Sequence, residues 1–427
     1  MGYPNHLYDT SYKKDAVNNG VSISELIFVI DHTTDIGEFF MNNNTGAVVA
    51  QNNGELFEGS RILGVWHRPN SSGRETNLEE LCQVLDEFKE AGINLVFLET
   101  FYHGMAAYKT ELVEYHNKLF DFEYGEYRDY LSAFVSEADK RGINVCAWVQ
   151  DFYVGFRDYI RLVVEHPDWL LINQSGSIRH MTEGQGFGGY IFLDPANPEV
   201  REYLLTLYDD ILTKFPKIKG LNLDYIRYPI SIYEEGTDTG YTKTCMKEFA
   251  KKQGIRLSSR NPRKNLVPRI ESEGLLDAWT AHKADYITGF VSEVRDMVNE
   301  KHPGRLISTA IFPELDQAYK MKKQSIRVWL DRGYVDFVTP MIYFYDATQV
   351  YDALKKLKGL CGELHCYTGL YTTYHKQTVA ELDEHIKASE AAGADGIVLF
   401  DAAKTFFEAE EDYAGYLSNK LNGNNSK

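Results

Sequence analysis

Gly220–Pro229, GLNLDYIRYP, is a short apolar run that ends in an acid, an arginine and two tyrosines. A continuous apolar run of this length, bounded by Gly and Pro, reads as a buried strand. A buried strand that finishes in charge delivers that charge either to a cleft or to an ion pair at the rim of a sheet. The rest of the chain decides between them, because the same unit recurs. An amphipathic helix closes on Gly, and a β-branched or aromatic run follows. The run is AGINLVFLET at 91–100, RGINVCAWVQD at 141–151, PGRLISTAIFPE at 303–314, RGYVDFVTPMIYFYD at 332–346 and ADGIVLFDAA at 394–403. Gly92, Gly142, Gly220, Gly304 and Gly333 stand where a left-handed cap would end each helix.

These runs are too uniformly apolar for a sheet with one wet face, so they predict parallel strands alternating with helices. Adding RILGVWHRP at 61–69 and GELHCYTGLYTTY at 362–374 gives eight strands, over 61–68, 93–100, 143–151, 220–227, 305–313, 335–345, 363–373 and 395–401. That order predicts an α/β protein, a (β/α)8 barrel, with a doubly wound open sheet as the alternative. Segments 152–192 and 230–275 exceed what one helix needs, and they predict insertions after strands three and four that wall a cleft at the carboxyl face. Residues 1–60 read as an N-terminal extension or the remnant of an upstream domain, 61–418 as the barrel, and 419–427 as a disordered tail.

At 427 residues, 44% apolar and 13% aromatic, the chain has material for a large core. A formal charge of −17 with no clustered Lys or Arg argues against a nucleic-acid partner and suits a neutral or cationic ligand. The five cysteines form no CxxC pair or His/Cys ligand pattern, so free and mostly buried thiols are expected. No run is long and apolar enough to span a membrane, and the opening MGYPNHLYDTSYKK has no signal-like apolar segment.

If 220–227 is a barrel strand, Asp224, Arg227 and Tyr228 stand at the end where barrel enzymes hold their chemistry. Other strand ends add Glu99, Trp148, Gln150, Asp151, Glu314, Tyr343, Tyr345, Asp346 and Asp401. Convergent carboxylates with aromatic faces match glycosidic chemistry, in which one acid protonates the leaving oxygen and a second carboxylate attacks or activates water. Taken singly, Asp224 with Arg227 also fits a rim ion pair, and any one tyrosine or tryptophan fits packing over the barrel. Competing chemistries lack their residues. The first strand offers His67 alone where a metal-dependent barrel hydrolase wants HxH, so no metal and no cofactor is expected. GQGFGG at 184–189 matches GxGxxG formally but leads into a strand and opens no helix, so it is read as a loop. No lysine ends a strand where a Schiff base would form, which weakens a barrel lyase or aldolase.

LNLDYIRYP at 221–229, HPDWLL at 166–171, FLDPANPEVREYL at 192–204, VDFVTPMIY at 335–343 and LDEFKEAGINLVFLET at 85–100 together resemble the glycosyl-hydrolase-like family 10 proteins, over about residues 60–410. The resemblance implies a (β/α)8 barrel, a glycosidase acting on a bacterial cell-wall or exopolysaccharide glycan, and a place in the cell envelope or outside the cell. Carried onto this sequence, it implies Asp224 as catalytic acid or nucleophile and Glu314 in AIFPE as its partner. Where many members have a doubled acid, DDY, this chain has LDYIRYP. Trp66, His67, Glu99, Trp148, Asp151, Asp194, Arg227, Tyr228, Tyr343 and Tyr345 are the expected substrate-binding residues. Asn197 reads as a helix N-cap ahead of Pro198, with Asp194 just upstream on the cleft side. A spacing of roughly 5 Å between the two carboxyls would mean retention, and roughly 6.5 to 9.5 Å inversion. The acidic balance fits an amine-bearing glycan such as a deacetylated glucosamine polymer. A barrel that binds glycan without cleaving it is the alternative function.

Overall fold

The computed structural model describes residues 56–57, 61–181, 189–372 and 377–421. Eight strands form a closed parallel barrel: β1 (Ile62–His67), β2 (Leu95–Tyr102), β3 (Asn144–Gln150), β4 (Gly220–Asp224), β5 (Leu306–Ile311), β6 (Phe337–Pro340), β7 (His365–Tyr371) and β8 (Gly396–Phe400). Neighbours pair in chain order, and β1 closes the ring by pairing with β8 (Trp66 beside Phe400) and β2 (Trp66 beside Phe97). Each predicted run contains one strand. β4 stops at Asp224 because Tyr225 takes a φ of 53° and leaves the extended region. Apart from residues 56–57 the predicted N-terminal extension lies outside the described residues, and so does the GQGFG of the glycine-rich loop. The last helix, Tyr413–Leu421, runs into the segment expected to be tail.

Alternation along each strand sorts side chains into two cores. Trp66, Leu95, Phe97, Cys146, Trp148, Phe337, Tyr367 and Val398 point inward and fill the barrel. Val65, Val96, Val149, Leu223, Ile307 and Leu399 point outward and pack against the helices. Near the top of the inner core Asn222 braces the barrel: it accepts from Trp66 Nε1 (3.1 Å) and donates to Ser308 Oγ (2.9 Å) and Thr339 Oγ1 (3.2 Å).

The glycine caps hold at Gly92, Gly142, Gly304 and Gly333, whose φ values are 82°, 70°, 88° and 63°. Gly220 is different: it is the first residue of β4 and ends no helix in a left-handed turn. It is needed because an added Cβ would overlap the backbone of Leu306 on β5. Gly220→Ala is therefore expected to cost about 3 kcal/mol, read as a lowered urea midpoint.

Two insertions lie where the sequence places them. After β3, Tyr153–Gly155 pairs antiparallel with Ile191–Phe192. Asn197 then caps the helix Pro198–Lys214 by accepting from Glu199 N (3.0 Å). After β4, helices Lys243–Lys252 and Pro262–Ser272 pack with the start of Leu276–Lys301 around Tyr241, Cys245, Phe249, Leu266 and Trp279, a core of their own. The polar centre of this insertion is Asp238. It accepts from Ser231 Oγ, Tyr241 Oη and Trp279 Nε1, each at 2.7 Å, and from the buried Lys283 ammonium. All five cysteines are free thiols and four are buried. Among the described residues no helix is long and apolar enough to cross a membrane.

Candidate active site

The carboxyl ends of the strands bring together Glu99 (β2), Asp224 (β4) and Asp401 (just after β8). Asp224 Oδ2 accepts from Trp148 Nε1 (3.0 Å), and its Oδ1 accepts from the backbone N–H of Tyr225 (2.7 Å), with the Arg227 guanidinium 3.4 Å away. Glu99 accepts from Gln150 Nε2 (2.7 Å), and Gln150 in turn accepts from the backbone N–H of His103 (3.2 Å). Arg68 links the other two acids, at 2.7 Å from Asp401 Oδ2 and 3.5 Å from Glu99 Oε2, and lies over the Trp148 and Phe400 rings.

These charges act on one another. Burial pushes the Glu99 carboxyl up to about 7; Arg68 and Lys118 pull it down, and Asp224 and Asp401 add to the rise. Burial works against the Arg68 charge, but Glu99 and Asp401 outweigh it and raise that group above the usual arginine value. Burial and the nearby Arg68 push His103 down to about 4, leaving a neutral ring beside the site. Tyr225 is pushed up to about 12, by burial first and then by Asp224 against the pull of Arg227. Its positive φ is rare for so bulky a residue, and it presents the ring to Tyr153, stacked at 4.5 Å, and to Arg227 at 4.2 Å.

Of the residues expected from sequence, Glu99, Trp148, Asp224 and Arg227 meet here. Trp66 lies one layer below, buried on Asn222. Tyr343 packs on Phe400 and Tyr371 at the rim, and Tyr345 is exposed beyond it. The others lie elsewhere. His67 points out of the barrel into a fully buried cluster, pairing with Glu75 (2.9 Å) and stacking on Phe134, because it follows the inward Trp66 by one residue. Asp151 follows the inward Gln150 by one, so it too turns outward, onto Tyr208 Oη of the helix Pro198–Lys214. Burial raises its carboxyl well above the usual range. Asp194 is buried in the β3 insertion, accepting from Ala196 N (3.1 Å), and does not reach the cleft. Tyr228 is buried with its ring toward Lys283. Glu314 is an exposed residue at the start of helix Leu315–Lys322, and the charge that acts on it is that of Lys356, not Asp224.

Arg68 escaped the sequence reading, and Gln150 was read as a strand end but not as a site residue, although strand alternation points to both: each lies two residues beyond an inward tryptophan. The loop carrying Arg68 is pinned by Glu75, which accepts from Tyr130 Oη (2.6 Å) and the backbone N–H of Asn70 (2.7 Å) as well as meeting His67. No group of three or more His, Cys, Asp or Glu among the described residues has the arrangement to hold a metal ion. A depression of about 390 Å³ lined by Lys109, Thr110, Glu111, Tyr115, Arg128 and Lys214 shares none of the site residues.

The fold is a closed (β/α)8 barrel whose mouth gathers buried carboxylates, an arginine and aromatic rings. The chain belongs to the family Glycosyl hydrolase-like 10, which it matches over residues 61–386. It is 24% identical over 299 residues to Glycosyl hydrolase DigH of Escherichia coli, covering 67% of this chain and 63% of that relative. The chain thus spans less than two thirds of the length of the curated relatives it matches. Solved barrels share the fold. The β-galactosidase of the psychrophilic Marinomonas ef1 aligns with a TM-score of 0.55 at 12% identity, over 84% of this chain and 58% of that one. The catalytic domain of β-amylase from Paenibacillus polymyxa gives 0.53 at 10% identity, over 85% and 98%.

Proposed function

We propose that the chain is a glycoside hydrolase acting on a bacterial cell-wall or exopolysaccharide glycan, with Glu99 and Asp224 as its carboxylate pair. The observation that carries this reading is the meeting of two inward acids at the ends of β2 and β4, with β3 between them, where burial and the field of Asp224 help push Glu99 up to about 7. Glu99, which holds its proton up to about pH 7, is suited to give that proton to the leaving oxygen. Asp224, fixed by Trp148, the Tyr225 N–H and Arg227, is suited to attack the anomeric carbon or to take a proton from water. Arg68 holds Asp401 and keeps Glu99 from rising further. In this reading Glu99 takes the part that the family resemblance gave to Glu314.

The first test is reducing-end release from N-acetylated and deacetylated peptidoglycan strands and poly-glucosamine, with Glu99→Gln alongside. Release by the native protein that is lost in Glu99→Gln supports the pair; release that Glu99→Gln leaves intact refutes it. The pH profile has a definite sign. Glu99 acts as an acid only while protonated, so kcat/KM is expected to fall as pH rises through about 7. Arg68→Met removes the charge that pulls Glu99 down, so in that variant the same limb is expected at higher pH. A limb that stays in place would detach Glu99 from the chemistry.

A further inference from the structure

We infer that the mouth binds a linear glycan across its full width, with sugars stacked on both sides of the carboxylates, and that cleavage falls inside a chain. The inference rests on the glycosidase reading above. Its grounds are two separate runs of rings on opposite arcs of the barrel. On the β2–β4 arc the run starts at Tyr225, next to Asp224. It passes to Tyr153, stacked at 4.5 Å, then to His103 at 5.7 Å and to Phe156 at 6.1 Å. Phe156 is 46% exposed, unusual for a phenylalanine in a folded domain, and Arg157 lies over it at 5.4 Å.

On the β6–β8 arc Phe400 lies under Arg68. It stacks on Tyr371 at 5.7 Å and meets Tyr343 at 5.6 Å. Two residues beyond Tyr343 stands Tyr345, 68% exposed. Strands β2 to β4 and β6 to β8 are separated by β1 on one side and β5 on the other, so the two runs face each other across the ring with Glu99, Asp224 and Asp401 at its carboxyl mouth.

Sugar rings present apolar C–H faces that lie on aromatic planes, and a run of rings offers such faces along a chain even where His103 meets Tyr153 and Phe156 edge-on, at 82° and 75°. A neutral His103 extends the series without adding charge. One run would serve a site that trims the end of a chain. Two runs, each ending in an exposed ring on its own side of the acids, give holding points for the sugars before and after the bond to be cut.

The test compares the native protein with Phe156→Ala and Tyr345→Ala, both exposed truncations whose folding is checked by thermal melting. Retention is measured on poly-glucosamine and on peptidoglycan strands, against competition by their di- and trisaccharide fragments, and product lengths are followed over time. The expected result is that polymer competes far better than trisaccharide, that each variant loses about three- to tenfold in retention, and that early products are of intermediate length. Release of one small product from a chain end, with both variants retained as the native protein is, overturns the inference while leaving the glycosidase reading intact. Retention that is length-dependent and lost in the variants, with no cleavage of any glycan, keeps the rings as a glycan-binding track but overturns internal cleavage together with the glycosidase reading. Neither retention nor cleavage overturns both.

Discussion

Asp224→Asn is expected to lower kcat on any cleaved glycan by about 10³-fold or more while leaving glycan affinity near that of the native protein. Asn has the shape of Asp, so β4 and its neighbours keep their packing. Its single oxygen can accept from either Trp148 Nε1 or the Tyr225 N–H but not both, which costs about 1 kcal/mol of stability and leaves the fold in place. What disappears is the carboxylate that would attack or act as base. Steady-state rates and equilibrium binding, measured on the same preparation, separate the two functional readings. A large rate loss at unchanged affinity supports catalysis by Asp224. A native protein that binds glycan and turns none over is a binding barrel, and Asp224→Asn would then change little.

The largest effect on stability is expected at Asp238, far from the chemistry. Replacing it with Ala leaves the Lys283 ammonium buried with Ser231 Oγ and the Thr239 carbonyl as its hydrogen-bond acceptors, and removes the acceptor of Tyr241 and Trp279. Stranding a buried charge costs roughly 3–5 kcal/mol, which should appear as a lowered urea midpoint and melting temperature. Lys283→Met is expected to cost less, because Asp238 keeps three neutral donors. The sign with pH follows from the carboxyl itself. Burial would raise it, but Lys283 first, with Lys323 and Ser231, holds it at about 2, below an unfolded value of about 3.9. The pair's contribution is therefore present above about pH 4 and is lost as pH falls toward 2. Equal losses for Asp238→Ala and Lys283→Met would show that the pair does not act in this way.

The comparison of sequence with structure turns on one variable, the face of each strand. Eight apolar runs, most of them entered through a helix-ending turn, settled the fold, because burial on both sides and the link to helices are properties of composition and spacing. Glu99, Trp148, Asp224 and Arg227 were also legible, since a strand that ends in charge exposes that end to a cleft. His67 and Asp151 were misplaced because they were chosen by residue type. Each follows an inward residue by one position, and one position is the difference between the mouth and the helices.

The sequence by itself determined the barrel, the strand ends where carboxylates gather and the place of the two long insertions, all consequences of local patterning. Only the tertiary structure decided which acids share a field. Glu99, Asp224 and Asp401 come from strands far apart in the chain and are joined through Arg68, Gln150 and Trp148. A carboxyl's proton affinity depends on burial and on charges a few ångströms away, and those distances exist only once the ring of strands has closed.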